Sequence, residues 1–168
     1  MIQSFEDVEK FIMYVNGRCK KMLLIETIFS EQNINKLVAL DEIQEYHIGI
    51  NDLHLEHKKR FMFQMLSEGN VENICSVINK YSKPYGFGGI AKLNEGTLPA
   101  RNIIAEHYRL GSTSAILSRS FCDMNAKIDL DEVETSFKNG IQEIRDYENW
   151  LATAPKSFFE DNQYIVGE

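Results

Sequence analysis

The sequence predicts an α/β protein built around a parallel β-sheet. Short apolar runs begin near positions 21, 46, 84 and 115, and each is followed by a stretch with the apolar period of an amphipathic helix. The runs are separated by about 25 to 40 residues, which is long enough for a helical crossover between parallel strands. Repeated βα units of this kind place their strands parallel, with right-handed connections.

Composition and charge narrow the classes of function. The chain has 168 residues, of which 43% are hydrophobic and 26% charged, an ordinary globular composition that disfavours disorder, collagen and coiled coil. Its 18 basic and 25 acidic residues give a net charge of −7, and an acidic surface repels phosphate backbones. We therefore expect no nucleic-acid partner.

The cysteines and the lengths of the apolar stretches indicate the cellular compartment of the protein. Cys19, Cys75 and Cys122 are scattered and include no C-x-x-C pair, a pattern typical of reduced thiols in a cytosolic protein. The start of the chain is acidic where a signal peptide needs basic residues, and no run approaches the length of a membrane helix. We expect a cytoplasmic protein with no membrane partner.

The first half of the chain predicts two helices and two strands. A capping-box-like start at Ser4 opens the first helix, and Asn16-Gly17 ends it with residues that tolerate a left-handed turn. The apolar run at 22–25 shows little alternation, which is typical of a strand buried on both faces. The other elements expected in this half are a helix over about 31–40 and a strand over 46–50.

The second half repeats the alternation. Asp129 is a predicted N-cap for a long helix, and Pro155 is expected to end that helix before a polar-aromatic tail. The remaining predictions are one or two helices between about 58 and 81 with a break near 69–70, a strand over 84–90, a helix over about 98–109 and a strand over 115–118.

Chemistry is expected where these strands end, because functional side chains of parallel sheets collect at the carboxyl ends of strands. Glu26 follows the first run and Asn51-Asp52 follow the second. Two carboxylates on neighbouring strands suit one hard divalent cation, and Mg²⁺ typically takes one or two protein carboxylates. The alternative is local: Glu26 would cap the following helix and Asp52 would form an Asx turn.

Four segments carry a family resemblance. They are LLIET at 23–27, HIGINDLHL at 47–55, PYGFGGIAKL at 84–93 and IIAEHYRLGSTSAILSRSFC at 103–122. Over residues 1 to about 150 the chain resembles the HpcH/HpaI aldolase and citrate lyase family, and it is most similar to a bacterial branch of aldolase/citrate-lyase-like proteins. I-E-T followed some 25 residues later by I-G-x-N-D-L is a fairly specific pattern.

The resemblance implies a (β/α)₈ TIM barrel of the pyruvate and phosphoenolpyruvate superfamily. In that family a Glu and an Asp at the ends of the fifth and sixth strands hold Mg²⁺, Mn²⁺ or another divalent cation, and by motif these correspond to Glu26 and Asp52. The metal chelates the keto and carboxylate oxygens of a pyruvate-like group and stabilises the enolate formed in carbon–carbon cleavage. The implied activity is that of a lyase acting on a 2-keto acid or a related carboxylate.

Five further positions are substrate-binding candidates. Asn51 and His54 lie in or beside the N-D motif, Gly88 and Gly89 offer backbone N–H groups to an anion, and Arg119 offers a bidentate guanidinium to a carboxylate. Three of them have a structural alternative: Gly88 and Gly89 relieve crowding inside a barrel, and Arg119 forms an ion pair with a neighbouring acid.

Other notable side chains are expected to be structural. His54 and His57 do not match a zinc helix motif, and His57 is expected on the solvated surface. His107 and Arg109 suit a helix C-terminus, where the dipole favours cations. The remaining group is an apolar patch, expected to serve packing or a subunit contact, formed by Phe61, Met62, Phe63 and Met65.

An eight-stranded barrel of this kind needs about 250 residues. The chain is therefore expected to be the C-terminal half of a (β/α)₈ TIM barrel, with a domain over 1–154 and a C-terminal tail over 155–168. No general base is assignable, and we expect weak or no aldolase activity from the chain alone. Four strands do not close a barrel, so we expect either a homo-oligomer, for example two half-barrels facing each other, or a rearrangement into an open sheet. The alternative function is a catalytically inactive oligomerisation or binding module derived from such an enzyme.

Overall fold

A single parallel sheet organises the fold. The computed structural model describes residues 1–122 and 129–167, and within them four strands pair in the order β1-β2-β3-β4, all parallel. The predicted α/β class with a parallel sheet is confirmed. The strands are β1 (Met22–Ile25), β2 (Glu45–Ile48), β3 (Tyr85–Ile90) and β4 (Ser114–Leu117).

Helices connect the strands and follow the last one. Ser4 caps the first helix by accepting a hydrogen bond from the Asp7 N–H, and Asn16 ends it in the left-handed region with φ 45°, both as the sequence predicts. Arg119–Phe121 form a 3-10 turn after β4. The helices are α1 (Phe5–Val15), α2 (Ile28–Gln32), α3 (Ile34–Val38), α4 (Ile50–Glu56), α5 (Gln64–Ser67), α6 (Asn70–Asn79), α7 (Ala100–Leu110), α8 (Leu130–Leu151) and α9 (Lys156–Gly167).

The two faces of the sheet differ in what covers them. Helices cover one side, which we call the helix face, where Tyr46 donates a hydrogen bond from its hydroxyl to the Leu37 carbonyl of α3 and Phe87 stacks on His107 of α7. The opposite side is called the open face. Register and alternation place on the helix face Leu23, Ile25, Tyr46, Ile48, Tyr85 and Phe87, and on the open face Met22, Leu24, His47, Gly86, Ser114 and Ile116.

The prediction that β1 is buried on both faces is wrong. Leu23 and Ile25 are 1% and 0% exposed, but Met22 and Leu24 are 43% and 41% exposed. Both residues lie on the open face of an edge strand, where Phe11 of α1 lines a pocket beside them but leaves them partly exposed. An apolar run therefore indicated the strand but not its surroundings.

Two predicted boundaries also differ. The second strand ends at Ile48 rather than at 50, because Gly49 turns the chain and Ile50 already begins α4. The helix expected over about 31–40 is divided at Asn33 into α2 and α3, although the predicted apolar face of Ile34, Leu37 and Val38 is buried as expected.

The segment expected as a C-terminal tail contains α9, which packs against α5 and α7. Asn162 and Val166 of α9 are buried, four residues apart on one side of the helix. The Asn162 side-chain amide donates to the Glu106 carboxylate at 2.9 Å and to the Asn102 carbonyl at 3.0 Å. The helix is thus held to α7 by hydrogen bonds as well as by apolar contact.

Two further sequence predictions concern packing and membranes. Phe63 and Met65 are buried and Phe61 packs edge-on against Phe63, so the predicted apolar patch is a packing cluster. Across residues 1–122 and 129–167, none of the helices combines the length and the apolar character required to cross a bilayer.

Candidate metal and substrate site

The end of β1 and the end of β2 meet around Gly49. Ile25 pairs with Ile48, so Glu26 and Gly49 are the first residues beyond two neighbouring strands. A Cβ atom added to Gly49 would lie 2.8 Å from the Glu26 Cβ and 3.1 Å from the Glu26 Oε2. Glycine at this position therefore makes the room that the Glu26 carboxylate occupies at the carboxyl edge of the sheet.

Asp52 reaches the same edge from α4. The helix begins at Ile50, directly after Gly49, and Asp52 lies half-buried in its first turn. A helix start favours a carboxylate because the first backbone N–H groups carry partial positive charge. Glu26 and Asp52 thus flank Gly49 on two neighbouring strand–helix connections, and Asn51 between Ile50 and Asp52 is exposed.

The local alternatives for both carboxylates are not what the structure shows. Thr27, not Glu26, caps α2: its hydroxyl accepts a hydrogen bond from the Ser30 N–H at 3.1 Å. Asp52 is helical and forms no Asx turn. Neither Glu26 nor Asp52 forms a hydrogen bond or ion pair with another residue of the described ranges, which leaves both carboxylates available to a ligand.

Two contacts fix α4 against the turn that carries Glu26. The Glu56 carboxylate accepts a hydrogen bond from the Ile28 N–H at 2.6 Å. His57 pairs with Glu31 of α2 at 2.5 Å, and Glu31 also accepts a hydrogen bond from the Asn70 side chain at 3.0 Å. His57 is therefore not fully solvated as expected: its side chain is 25% exposed and links α4 to α2 through Glu31.

His54 lies on α4 two residues beyond Asp52. The side chain is half-buried, and its Nδ1 atom is buried without a hydrogen-bond partner among the residues the structure describes. A buried nitrogen without a partner is costly, and no residue of the described ranges offsets that cost. The role of His54 in substrate binding stays a prediction.

Gly88 and Gly89 lie inside β3. Gly88 has φ +55°, a conformation that favours glycine, and a Cβ there would lie 3.2 Å from the Ile50 side chain. Gly89 is exposed. Their predicted contact with an anion stays a prediction, while the close approach of Ile50 gives Gly88 a structural reason to be glycine.

His47 is a residue that sequence analysis missed. It lies on the open face of β2, is 3% exposed, and its Nε2 atom lies 3.1 Å from the Gly88 carbonyl. A carbonyl only accepts hydrogen bonds, so Nε2 is the protonated nitrogen. Burial lowers the pKa of His47, which keeps the imidazole neutral at physiological pH. Strict alternation with Tyr46 and Ile48 is the signal that assigns it to this face.

Arg119 opens the 3-10 turn after β4 and is exposed. It has no ion-pair partner in residues 1–122 and 129–167, so the structural alternative of a scaffold ion pair finds no support there. The strand order places β4 two strands from β2, a separation of about 10 Å.

His107 and Arg109 have structural contacts, as predicted, but His107 is buried and is not the cation that the helix dipole was expected to favour. His107 stacks on Phe87 with 3.7 Å between ring centroids, and its Nδ1 lies 2.8 Å from the Ser112 hydroxyl. Burial, with a smaller contribution from nearby His47, lowers the pKa of His107 to about 3. Arg109 forms ion pairs, at 2.8 Å with Glu106 and at 3.1 Å with Glu72.

The remaining observations concern metals and known proteins. Among the described residues no group of three or more His, Cys, Asp or Glu side chains is arranged as a metal centre, so the candidate site offers a pair of carboxylates rather than a full protein cage. No family model, curated protein or solved structure matches this chain. The function is therefore inferred from the candidate site and from the sequence resemblance.

Proposed function

We propose that this chain is the metal-binding part of a carbon–carbon lyase of the aldolase and citrate-lyase type, acting on a 2-keto acid or a related carboxylate. The observation that carries the proposal is the pair of unpartnered carboxylates, Glu26 and Asp52, on either side of Gly49. The segments that resemble the HpcH/HpaI family include both residues.

The donor set suits a hard cation. Carboxylate oxygens are preferred ligands of Mg²⁺, which keeps several waters and is held by one or two protein carboxylates plus substrate oxygens. The room that Gly49 leaves for the Glu26 carboxylate supports this fit, since a larger residue there would displace it. Glu26 and Asp52 would hold the ion, leaving its other positions for water and substrate.

Each residue would have a distinct task. A bound divalent cation supplies Lewis-acid stabilisation of negative charge on the substrate oxygens. Asn51 and His54 would contact the substrate beside the metal, and backbone groups at Gly88 and Gly89 would orient it. Arg119 would pair with a second carboxylate at the β4 end. No side chain is assigned as general base.

The strand arrangement supports the barrel interpretation. Four parallel strands in sequence order, with helices on one face, are what four consecutive βα units of a (β/α)₈ barrel would form. A barrel needs eight such units, so this arrangement supplies half of one.

Calorimetric titration with Mg²⁺ and Mn²⁺ tests the metal site. We expect binding in the micromolar to millimolar range, weakened at least tenfold by Glu26→Gln and by Asp52→Asn, because each removes one anionic ligand. Glu9→Gln is the matched control, since Glu9 is an exposed carboxylate on α1. Equal loss in the control, or unchanged affinity in both site variants, would contradict the proposal.

A second function has its own observation. Met22, Leu24 and Ile116 expose apolar side chains on the open face, the side that would line a barrel interior, and such a surface suits contact with another protein chain. The chain would then be a catalytically inactive oligomerisation or binding module. Absence of metal binding at millimolar concentration, in a folded protein, would favour this function over the lyase.

A further inference from the structure

The two strand–helix connections that carry the candidate metal ligands are joined to each other at two points. The first belongs to the sheet: the Gly49 N–H donates a hydrogen bond to the Ile25 carbonyl at 3.0 Å, one residue before Glu26. The second is made by a side chain, since the Glu56 carboxylate accepts a hydrogen bond from the Ile28 N–H at 2.6 Å. Along both connections, the candidate ligand lies between these two points.

Glu56 extends from the same side of α4 as Asp52. The two residues are four apart, so their side chains are neighbours on the helix surface. Glu56 reaches the first residue of α2, two positions beyond Glu26. Its contact with α2 therefore turns the side of α4 that carries Asp52 toward the connection that carries Glu26.

The Ile28 N–H has no partner in its own helix. Ile28 is the first residue of α2, and the first N–H groups of a helix lack an intrahelical acceptor. Two neighbouring N–H groups are satisfied locally, because Ser30 donates to the Thr27 hydroxyl at 3.1 Å and Thr27 donates to the Ser30 hydroxyl at 3.0 Å. The Glu56 carboxylate completes this turn, and a hydrogen bond to a charged acceptor is stronger than a neutral one.

The Glu56 carboxylate is engaged by the protein and is not a third metal ligand. It is half-buried, and its other oxygen lies 3.5 Å from the side-chain nitrogen of Gln3. In the part of the chain that the structure describes, no three acidic, histidine or cysteine side chains are arranged as a metal centre. What Glu56 supplies is a link between the backbone beside Glu26 and the helix of Asp52.

A second contact joins the same two helices farther from the ligands. His57 lies 2.5 Å from Glu31, and Glu31 is five residues beyond Glu26. Its side chain leaves α2 one turn after the connection itself. Glu56 instead holds a backbone group of the connection, so it acts closest to the position of the Glu26 carboxylate.

We propose that Glu56 is a positioning residue for the divalent-cation site, and that its hydrogen bond to the Ile28 N–H fixes the separation of the two carboxylates that would hold the cation. Glu56 would act on the same pair of carboxylates, so this role rests on the function proposed above. Mg²⁺ demands near-octahedral geometry, so a site with two protein ligands depends on their spacing. Groups that orient metal ligands typically contribute about 10- to 100-fold to metal affinity.

Titration of the full chain with Mn²⁺, followed by the electron paramagnetic resonance signal of the free ion, tests the role of Glu56. We expect Glu56→Ala to weaken Mn²⁺ binding about tenfold, the lower end of the effect of groups that orient ligands. Glu56→Gln loses the same charge but keeps an oxygen that accepts from the Ile28 N–H, so its affinity should stay within about threefold of the unmodified chain. The amide ¹⁵N and ¹H shifts of Ile28 should change in the Ala variant and be largely retained in the Gln variant.

Two further variants complete the test. Glu56→Asp keeps the charge and shortens the side chain, so it should lose affinity as Glu56→Ala does, and it replaces that variant if circular dichroism shows that Ala does not fold. Arg109→Leu is the matched control, because it disturbs the packing of α7 without a contact to α2 or α4, and it should leave Mn²⁺ affinity unchanged.

Four outcomes would overturn the role of Glu56. Equal losses in the Ala and Gln variants would show that only the charge matters, and unchanged affinity in the Ala variant would show that the contact does not position the ligands. An equal loss in Arg109→Leu would indicate a general effect of stability. In these three cases a loss of binding in Glu26→Gln still supports the metal site, whereas absence of Mn²⁺ binding by the unmodified chain contradicts both.

Discussion

At the residue scale, the buried imidazole of His107 makes the stability of the fold depend on pH. Its pKa in the folded chain is about 3, below the value of about 6.5 for an exposed histidine. Between these values the unfolded chain binds a proton that the folded chain does not, so stability falls as the pH decreases from about 6.5 and this contribution levels off below 3. The neutral ring is thus part of the packed core.

Urea unfolding at pH 7.5, 6.5 and 5.5 measures this dependence. We expect the imidazole of His107 to account for a loss of about 1 kcal/mol in the free energy of unfolding between pH 7.5 and 5.5. His107→Phe keeps a ring against Phe87 and removes the titrating group, so its stability should fall less over the same interval. An unchanged slope in the variant would show that other groups cause the acid sensitivity.

Gly86 tests how closely β3 and β4 approach. A Cβ there would lie 2.1 Å from the Ser114 carbonyl oxygen, whereas a Cβ on Gly89 of the same strand would lie 3.5 Å from the Ile116 carbonyl oxygen. Gly86→Ala should therefore cost about 3 kcal/mol of unfolding free energy, as an overpacked site does, and Gly89→Ala less than about 1 kcal/mol. Thermal unfolding compares the two, and equal effects would contradict the pairing of β3 with β4.

Sequence patterns predict individual residues well where the cause is local. Ser4 and Asn16 are correctly predicted as helix boundaries because their roles depend on the next few residues. The surroundings of His57 and His47 could not be predicted from local patterns, because their contacts come from α2 and β3, which are distant in sequence. The candidate site divides in the same way: the positions of Glu26 and Asp52 beyond their strands are local, while the space left by Gly49 is not.

At the element scale, predictions failed where an element depends on contacts with segments that are distant in sequence. Apolar runs predicted all four strands, because burial against helices needs apolar side chains whatever covers the other face. Helix α9 was missed because it follows Pro155 closely and its buried face includes the polar Asn162. That face packs on Glu106 of α7, a contact that no local pattern encodes.

Arg109 joins α7 to its neighbours, and its removal is a sharp test of that packing. It pairs with the buried Glu106 and with Glu72 of α6, so Arg109→Leu leaves the Glu106 charge buried beside Asn162 alone. We expect a loss of about 3 kcal/mol in unfolding free energy. Chemical denaturation measures this loss, with the same dependence of unfolding free energy on denaturant concentration in the variant and the unmodified chain.

Arg145→Leu is the matched control for this variant. Arg145 pairs with Glu148 on the exposed side of α8, where an ion pair contributes less than about 1 kcal/mol. If both arginine variants lose similar stability, the network between α6, α7 and α9 does not act as a buried unit.

At the scale of the whole molecule, one face and two edges of the sheet remain to be covered. β1 and β4 each have one strand neighbour within the described residues, and the open face between them exposes Met22, Leu24 and Ile116. Unpaired edges and exposed apolar surface both favour association with another chain. Both the lyase and the module proposed above require such a partner surface, so self-association is common to them.

We therefore expect the chain to form a dimer in which two open faces meet, and sedimentation equilibrium at micromolar concentration tests this. Leu24→Glu places a charge on the open face and should give the mass of one chain, because burying an unpaired carboxylate is costly. Leu55→Glu is the control, since Leu55 is also an exposed leucine but lies on α4. A monomeric unmodified chain would contradict the dimer. If the Leu55 variant dissociates the dimer instead, the contact between the chains lies on the helices, because Leu55 is on α4 and only Leu24 is on the open face.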